Sequence, residues 1–374
     1  MNVELVNNLN QFNELKFDWN ALLKESNTQS IFLTWEWLYY WWLHFNKDKG
    51  LLILLFREKS SRRLLGIAPC YLQKQRLFHL INIKKIRFLG TEIGGSDFLD
   101  FIISPGKEND ILRLLCEYLV SISDKWDTVE ISDICKDSKN NVIIRHELSK
   151  HFRIVDKGFQ ICPFIDLPKN IDESSGLISK KMSKNLRWCY KQLQEKFNVV
   201  ISINKFIDNI LEKSINAFFN LHISRFNAKK AKTTFGKEEI KDFQYDIARN
   251  FLKNDWLRFY SVHYCDKIIA CLYVFQYKKN TFYYQSGFDP DWQKWSLGSV
   301  MIDYAIKSAI KEGQSQFHFL RGNESYKRKW TANYIITETY IVANKSMGGI
   351  FELMFLKQKN ILKKFIRSLG RFNK

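Results

Sequence analysis

The sequence predicts an α/β fold, in the α+β sense, built as two consecutive domains that are each a mixed twisted sheet flanked by helices. Three observations lead there. The chain has 374 residues, too many for one ordinary core and suited to two domains of roughly 150–200 residues. Each half contains the order helix, strand, turn, strand, strand, helix, strand. Hydrophobic residues make up 45% of the chain, with 30 Phe, 16 Tyr and 11 Trp against only 5 Pro. That composition supports large apolar cores and leaves little for disordered linkers.

The first half opens with helical periodicity over 10–26. Thr34–His44, TWEWLYYWWLH, reads as a buried helix with Thr34 as its N-cap. Strand-like runs follow at Leu51–Arg57, Leu64–Leu72 and Lys85–Leu89, then a glycine-rich turn, GTEIGGSD, over Gly90–Asp97. Phe98–Ile103 reads as a strand, Glu108–Ser123 as an amphipathic helix and Thr128–Ser132 as a strand. In the second half, Asp208–Phe226 is helical. Trp256–Tyr264 and Ile268–Tyr277 form a hairpin turning at Asp266-Lys267, and Thr281–Phe288 is the third strand. Ser296–Glu312 is a helix closed by Gly313, and Gln316–Leu320 is the last strand. Leu65-Gly66-Ile67-Ala68 and Ile268-Ile269-Ala270-Cys271 echo each other on the second strand of each hairpin, which suggests internal duplication. The expected domains are 1–160, 161–345 and a basic amphipathic helix over 346–374.

Composition also excludes several classes. The 7 cysteines are odd in number and scattered, with no CxxC pair, so a disulfide framework is not expected. No His/Cys/Asp cluster has ligand spacing, so no metal is expected. The opening MNVELVNNLNQF lacks a basic segment followed by an apolar one, and no apolar run approaches the ~20 residues that span a bilayer. A cytoplasmic chain is therefore expected, with peripheral contact at the inner membrane face. The formal net charge of +19 attracts anions without choosing among nucleic acid, anionic lipid and phosphate-bearing small molecules.

Three segments carry a resemblance. Ser179–Leu193, SKKMSKNLRWCYKQL, opens a basic helix. Tyr283–Met301 reads YYQSGFDPDWQKWSLGSVM, and Phe317–Trp330 reads FHFLRGNESYKRKW. Leu221-His222 with Arg225 makes an LHxxR element between the first two. In this order and spacing the set resembles the CelD-like, BioF2-like acetyltransferases of the GNAT superfamily, distant relatives of the FemABX peptidyltransferases. It departs from them at His318, where an acidic residue is usual, and in a phosphate loop reduced to Ser296-Leu297-Gly298-Ser299.

The resemblance implies tandem GNAT-like domains, the first degenerate and the second the acetyltransferase. The donor would be acetyl-CoA or another acyl-CoA, used as a co-substrate. Its pyrophosphate would meet the helix N-terminus at Ser296, Leu297, Gly298 and Ser299, where free N–H groups and the helix dipole favour anions. Thr281–Phe288 and Gln316–Leu320 would be parallel strands that splay apart, with Tyr284, Gln285 and Ser286 facing the pantetheine amides. Amine acylation needs a base, an acid for the leaving thiolate and a positive group for developing charge. Glu324 is the candidate base, Tyr326 the acid, Lys327 or Arg321 the charge stabiliser, and His222 a base or an orienting group. After Thr128–Ser132 the first half offers only Asp133-Ile134-Cys135-Lys136 in the corresponding place.

Lys180, Lys181, Lys184, Arg187 and Lys191 place cations at helical spacing, suited to phosphates. Ile350–Lys374 combines seven Lys or Arg with an apolar stripe, the pattern of a helix lying on an anionic membrane. The expected function is N-acylation of an amino sugar or related precursor in cell-envelope polysaccharide biosynthesis, with a small-molecule or lipid-linked sugar acceptor and no nucleic-acid partner. FemABX-like transfer from aminoacyl-tRNA and a non-catalytic assembly role with a decayed site are the alternatives.

Overall fold

The computed structural model describes residues 1–77, 81–204 and 208–358. The chain opens with β1 (Asn2–Val6), α1 (Leu9–Glu14), α2 (Lys16–Glu25) and α3 (Trp35–Phe45). Then come β2 (Lys49–Arg57), β3 (Leu64–Leu77), β4 (Ile81–Phe88), β5 (Ile102–Ile103), α4 (Glu108–Ser121), β6 (Thr128–Cys135) and α5 (Lys139–Ser149). β7 (Arg153–Asp166), α6 (Lys180–Phe197), β8 (Val200–Asn204), α7 (Asp208–Ala228) and α8 (Glu238–Lys253) follow. The rest is β9 (Leu257–Tyr264), β10 (Lys267–Tyr277), β11 (Asn280–Phe288), α9 (Leu297–Lys311), β12 (Gln316–His318) and β13 (Tyr334–Ala343).

Two compact units divide the chain. The first holds Met1–Trp42, Asn46–Gln160 and the chain from Ile336 onward; the second holds Leu43–Phe45 and Ile161–Ile335. The first unit's strands run in the order β1-β2-β3-β4-β6-β13, with β5 on β3, and the second unit's in the order β7-β12-β11-β10-β9-β8. Among the described residues each sheet shows one parallel pair, joined through a helix. β4 meets β6 from Lys85↔Thr128 to Arg87↔Glu130, and β11 meets β12 from Asn280↔Gln316 to Phe282↔His318. The β1–β2, β2–β3, β3–β4, β3–β5, β6–β13, β7–β12, β8–β9, β9–β10 and β10–β11 pairs are antiparallel. Both sheets are thus mixed and helix-flanked. The last strand of each comes from a distant stretch of chain: β13 pairs with β6, and β7 with β12.

Local chemistry explains the helices. Thr34 accepts from the Trp37 N–H and starts α3, whose Trp35, Trp37, Trp41 and Trp42 are all buried. The helical stretch expected over 10–26 is two helices, broken at Leu15, which caps α1. α8 places Ile240, Phe243, Ile247 and Phe251 on one buried stripe.

In the second unit, α9 packs Val300, Met301, Ala305 and Ala309 against Tyr260, Val262, Val274 and Phe317 of the sheet. α6 adds Leu186, Cys189 and Leu193 to the same core, and the Tyr190 hydroxyl donates to the Val300 carbonyl at 3.0 Å. Rings of Phe218, Tyr273, Phe275 and Tyr284 fill the space beneath α7. Among the described residues no helix is long and apolar enough to cross a membrane.

Candidate active site in the second unit

The site begins where two strands part. β11 and β12 share only three register pairs, ending at Phe282↔His318. Beyond them β11 stays with β10 as far as Ala270↔Phe288. The β12 chain instead follows β7: the Phe319 N–H donates to the Pro163 carbonyl and the Gly322 N–H to the Ile161 carbonyl, each at 2.9 Å. The splay expected from the sequence is therefore present, with Tyr283–Phe288 on one arm and Phe319–Gly322 on the other. A bulge sits on β11 at this point, because Val274 pairs with Tyr283 and Tyr273 with Gln285, leaving Tyr284 extra.

α9 starts beside the splayed arm. The Ser299 and Val300 N–H groups both donate to the Ser296 carbonyl, at 2.9 and 3.1 Å. The Leu297 and Gly298 N–H groups have no acceptor among the described residues and stand free at the positive end of the helix. No acidic residue lies in the first turn. A Cβ on Gly298 would meet only the Phe288 ring, at 3.8 Å, so the approach to these donors is open. This donor set fits a pyrophosphate. Ser296 differs from its expected part. Its backbone is left-handed (φ 51°) and its side chain does not cap the helix. Its hydroxyl instead bonds the Cys189 thiol of α6.

α7 brings two further groups. Gly287 lets it approach, since a Cβ there would stand 2.7 Å from the His222 backbone nitrogen. His222 Nδ1 lies 3.0 Å from the Ser286 carbonyl, which only accepts, so Nδ1 carries the proton. Nε2 then accepts from the Thr233 hydroxyl at 3.1 Å. Burial, aided by Arg225, pushes the His222 pKa down to about 4. The ring is neutral at pH 7 with its lone pair already engaged, which suits an orienting group better than a base. One turn on, Arg225 donates from Nη1 to the Ser286 hydroxyl at 3.0 Å and lies 4.4 Å over the Phe288 ring.

The third component is the chain from Leu320 to Lys327. Leu320 and Gly322 have φ of +58° and +118°, and a Cβ on Gly322 would stand 2.4 Å from a Glu324 carboxylate oxygen. Lys327 pins this turn. Its buried ammonium donates to the Leu320 and Arg321 carbonyls at 3.3 and 2.6 Å and pairs with Glu324 at 3.0 Å. All three ammonium protons are thereby used. Glu324 itself is 54% exposed, and Arg321 is half-buried beside it.

Tyr326 turns inward. Burial, the neighbouring Tyr283 and Glu324 hold its phenol far above the ordinary tyrosine range, and it hydrogen-bonds Tyr283. The Tyr283 and Ser286 hydroxyls are 2.7 Å apart. A hydroxyl chain thus runs Tyr326–Tyr283–Ser286 and ends on Arg225.

The structure therefore brings together His222, Ser286, Tyr326 and the Glu324–Lys327 pair around the splay, and places Leu297 and Gly298 at the adjoining helix end. Side chains of the other expected contacts are engaged elsewhere. The Tyr284 hydroxyl accepts from Gln244 at 2.8 Å, and the Ser286 carbonyl is taken by His222. His318 is packing: its ring stacks between Phe164 and Phe282, with centroids at 5.7 and 5.2 Å, and burial lowers its pKa to about 4. Tyr283, Thr233 and Arg225 were not among the expected site residues. The LHxxR spacing was the one signal for Arg225.

The corresponding helix start of the first unit is different among the described residues. Its matching helix, α4, begins with Glu108, whose carboxylate is buried yet held below the usual range by the backbone N–H groups of Glu108 and Gly106 and by Lys139. The chain's own anion fills that helix end.

Residues 180–328 match the model of the acetyltransferase (GNAT) domain family. No curated protein matches the chain in sequence. Among solved structures, FemX superposes with a TM-score of 0.63 at 9% identity, covering 92% of this chain and 98% of that one. L-PGS from Bacillus licheniformis gives 0.53 at 11% identity, covering 91% and 96%. The C-terminal DUF2156 domain of a protein described as a lysylphosphatidylglycerol synthetase from Agrobacterium fabrum gives 0.53 at 10%, covering 92% and 96%. At such identities the likeness is one of fold. Residues 180–328 carry an acetyltransferase domain of the GNAT superfamily, and the chain is an acyltransferase.

Proposed function

We propose that the protein is an acyl-CoA-dependent N-acyltransferase, with acetyl-CoA as donor and an amino sugar or related cell-envelope polysaccharide precursor as acceptor. The observation that carries the reading is the conjunction, in one unit, of two free N–H groups at a helix start with a buried phenol chain beside parting strands. The polysaccharide assignment rests on the sequence resemblance.

Acyl-CoA, when bound, supplies a thioester whose acyl carbon an amine can attack. The Leu297 and Gly298 N–H groups would hold its pyrophosphate, and the backbone of Tyr284 and Gln285 would line its arm. Glu324, exposed at the loop, is placed to accept the amine's proton. Tyr326 stays protonated and serves as hydrogen-bond donor and acid. Arg321 adds positive charge, while Lys327 and His222 hold these groups in position. The first unit, its α4 terminus filled by Glu108, would not bind CoA there.

The test is release of the CoA thiol from acetyl-CoA with a panel of amino sugars. Tyr326→Phe should lower kcat by about a hundredfold to ten-thousandfold, the range for a general acid, with CoA affinity unchanged. Wild-type turnover in that variant removes Tyr326 from the chemistry, and no acceptor-dependent thiol release from the native protein removes the reading. Transfer from aminoacyl-tRNA is a second reading, favoured by the exposure of Lys180, Lys181, Lys184, Arg187 and Lys191 on α6. Thermal stabilisation by RNA and not by CoA would select it.

Location belongs to the same proposal. Helical residues 347–358 turn Glu352, Leu353 and Leu356 inward and leave Met347, Ile350, Phe351 and Met354 exposed. Most of the C-terminal cations expected to meet a membrane lie in 359–374, outside the described residues. Reversible association of this segment with anionic lipid would place the enzyme where lipid-linked precursors are assembled. Native protein should sediment with anionic vesicles at low salt, and a Phe351→Glu, Met354→Glu variant should sediment markedly less. Equal sedimentation would assign any membrane attraction to another surface such as α6.

A further inference from the structure

We propose that Arg225 is an anion-recognition residue of this site, and that the acyl acceptor carries a carboxylate or phosphate near its reacting amine. The proposal rests on the acyltransferase reading and specifies its substrate class.

The guanidinium is under-used. Of its five N–H donors, one reaches Ser286 at 3.0 Å. Its Nε is buried and has no acceptor. No carboxylate among the described residues pairs with it, and Glu324 is held by Lys327 at 3.0 Å. Just past the end of the helix its charged neighbour is another cation, Lys229, whose pKa is lowered by burial and by Arg225 itself. Exposed Lys230 and Lys232 follow in the next loop.

A half-buried guanidinium is ordinarily paired, because desolvating an uncompensated charge is unfavourable. Stacking on Phe288 and one hydroxyl offset part of that cost. A planar fork with donors to spare is the group that binds an oxyanion through two parallel hydrogen bonds.

Position selects the acceptor's anion. Donor phosphates already have the free Leu297 and Gly298 N–H groups. Arg225 instead bonds Ser286, which bonds Tyr283, which bonds Tyr326. It therefore stands at the reacting end of the site.

Three amines that differ in charge test this: glucosamine, glucosamine 6-phosphate and muramic acid. Calorimetry on the protein without acyl-CoA reads acceptor binding even if no acyl group is transferred, and thiol release then reads kcat and KM. Native protein should prefer glucosamine 6-phosphate or muramic acid over glucosamine by about tenfold or more, as expected for charge-assisted hydrogen bonds. The phosphate and the carboxylate probe show which anion is meant. Arg225→Gln should erase the preference by raising Kd and KM for the anionic acceptor, and Arg225→Lys should restore part of it, which also covers a glutamine variant that does not fold. Equal affinity of native protein for all three amines overturns the proposal. So does a fall in CoA affinity in either variant, which would assign the guanidinium to the donor. A uniform loss of kcat across acceptors with KM unchanged also overturns it, assigning Arg225 to charge developing on the acyl group.

Discussion

Replacing Gly298 with valine is expected to weaken CoA binding by at least about a hundredfold, or about 2.7 kcal/mol, while leaving the protein folded. Room for the side chain exists in the protein itself, since the nearest atom to a Cβ at this position is a Phe288 ring carbon at 3.8 Å. Valine is also a better helix residue than glycine, by a few tenths of a kcal/mol. The folded state therefore has no reason to suffer. The ligand does, because the added methyls stand over the Leu297 and Gly298 N–H groups, the only unbonded donors of this helix start among the described residues. Calorimetry with CoA and a thermal melt of the same sample decide it. Unchanged affinity would move the pyrophosphate away from α9. A lost melt would mean that Gly298 serves packing.

Much of this site was legible because its signals are local. Thr34 ahead of an aromatic run announces a capped, buried helix, and Val300, Met301 and Ala305 announce a helix packed on a sheet. The two hairpins followed from turn residues and alternation, and the parallel pairing of Thr281–Phe288 with Gln316–Leu320 from the resemblance. What stayed hidden depends on partners far along the chain. β13, YIITETYIVA, pairs with Thr128–Cys135 about two hundred residues earlier, and nothing within the segment names that partner. Ser296 offers a capping residue type in the right place, yet a left-handed backbone and the Cys189 thiol turn its hydroxyl away. His222 invites a base assignment until Thr233 and Ser286 are seen to occupy both ring nitrogens. In each case residue type gave the chemistry available, and only tertiary contacts showed which part of it was already in use.

Lys327 shows the same distinction and yields the second large effect. Lys327→Met is expected to lower stability by about 2 kcal/mol and turnover by more than tenfold. The side chain is 5% exposed and its ammonium serves three acceptors, the Leu320 and Arg321 carbonyls and Glu324. Methionine keeps the volume and removes every donor. Two carbonyls and a carboxylate lose their partner, which costs on the order of 1–3 kcal/mol; the figure stays below that for a broken buried pair because Glu324 reaches solvent. Leu320 holds a left-handed backbone that a leucine does not choose freely, so the turn depends on its pin. Once it is released, Glu324 and Tyr326 leave their positions together, and activity falls through misplacement. A positioning role and a chemical role then separate in the pH profile. If Lys327 only holds the loop, the rate falls but the apparent pKa values of kcat/KM stay where they are, and Lys327→Arg recovers much of the stability and little of the rate. If the ammonium itself meets charge on the substrate, the rate falls with no loss in melting temperature. That second outcome would return Lys327 to the catalytic groups and leave the loop to be held by Gly322 and its bond to Ile161.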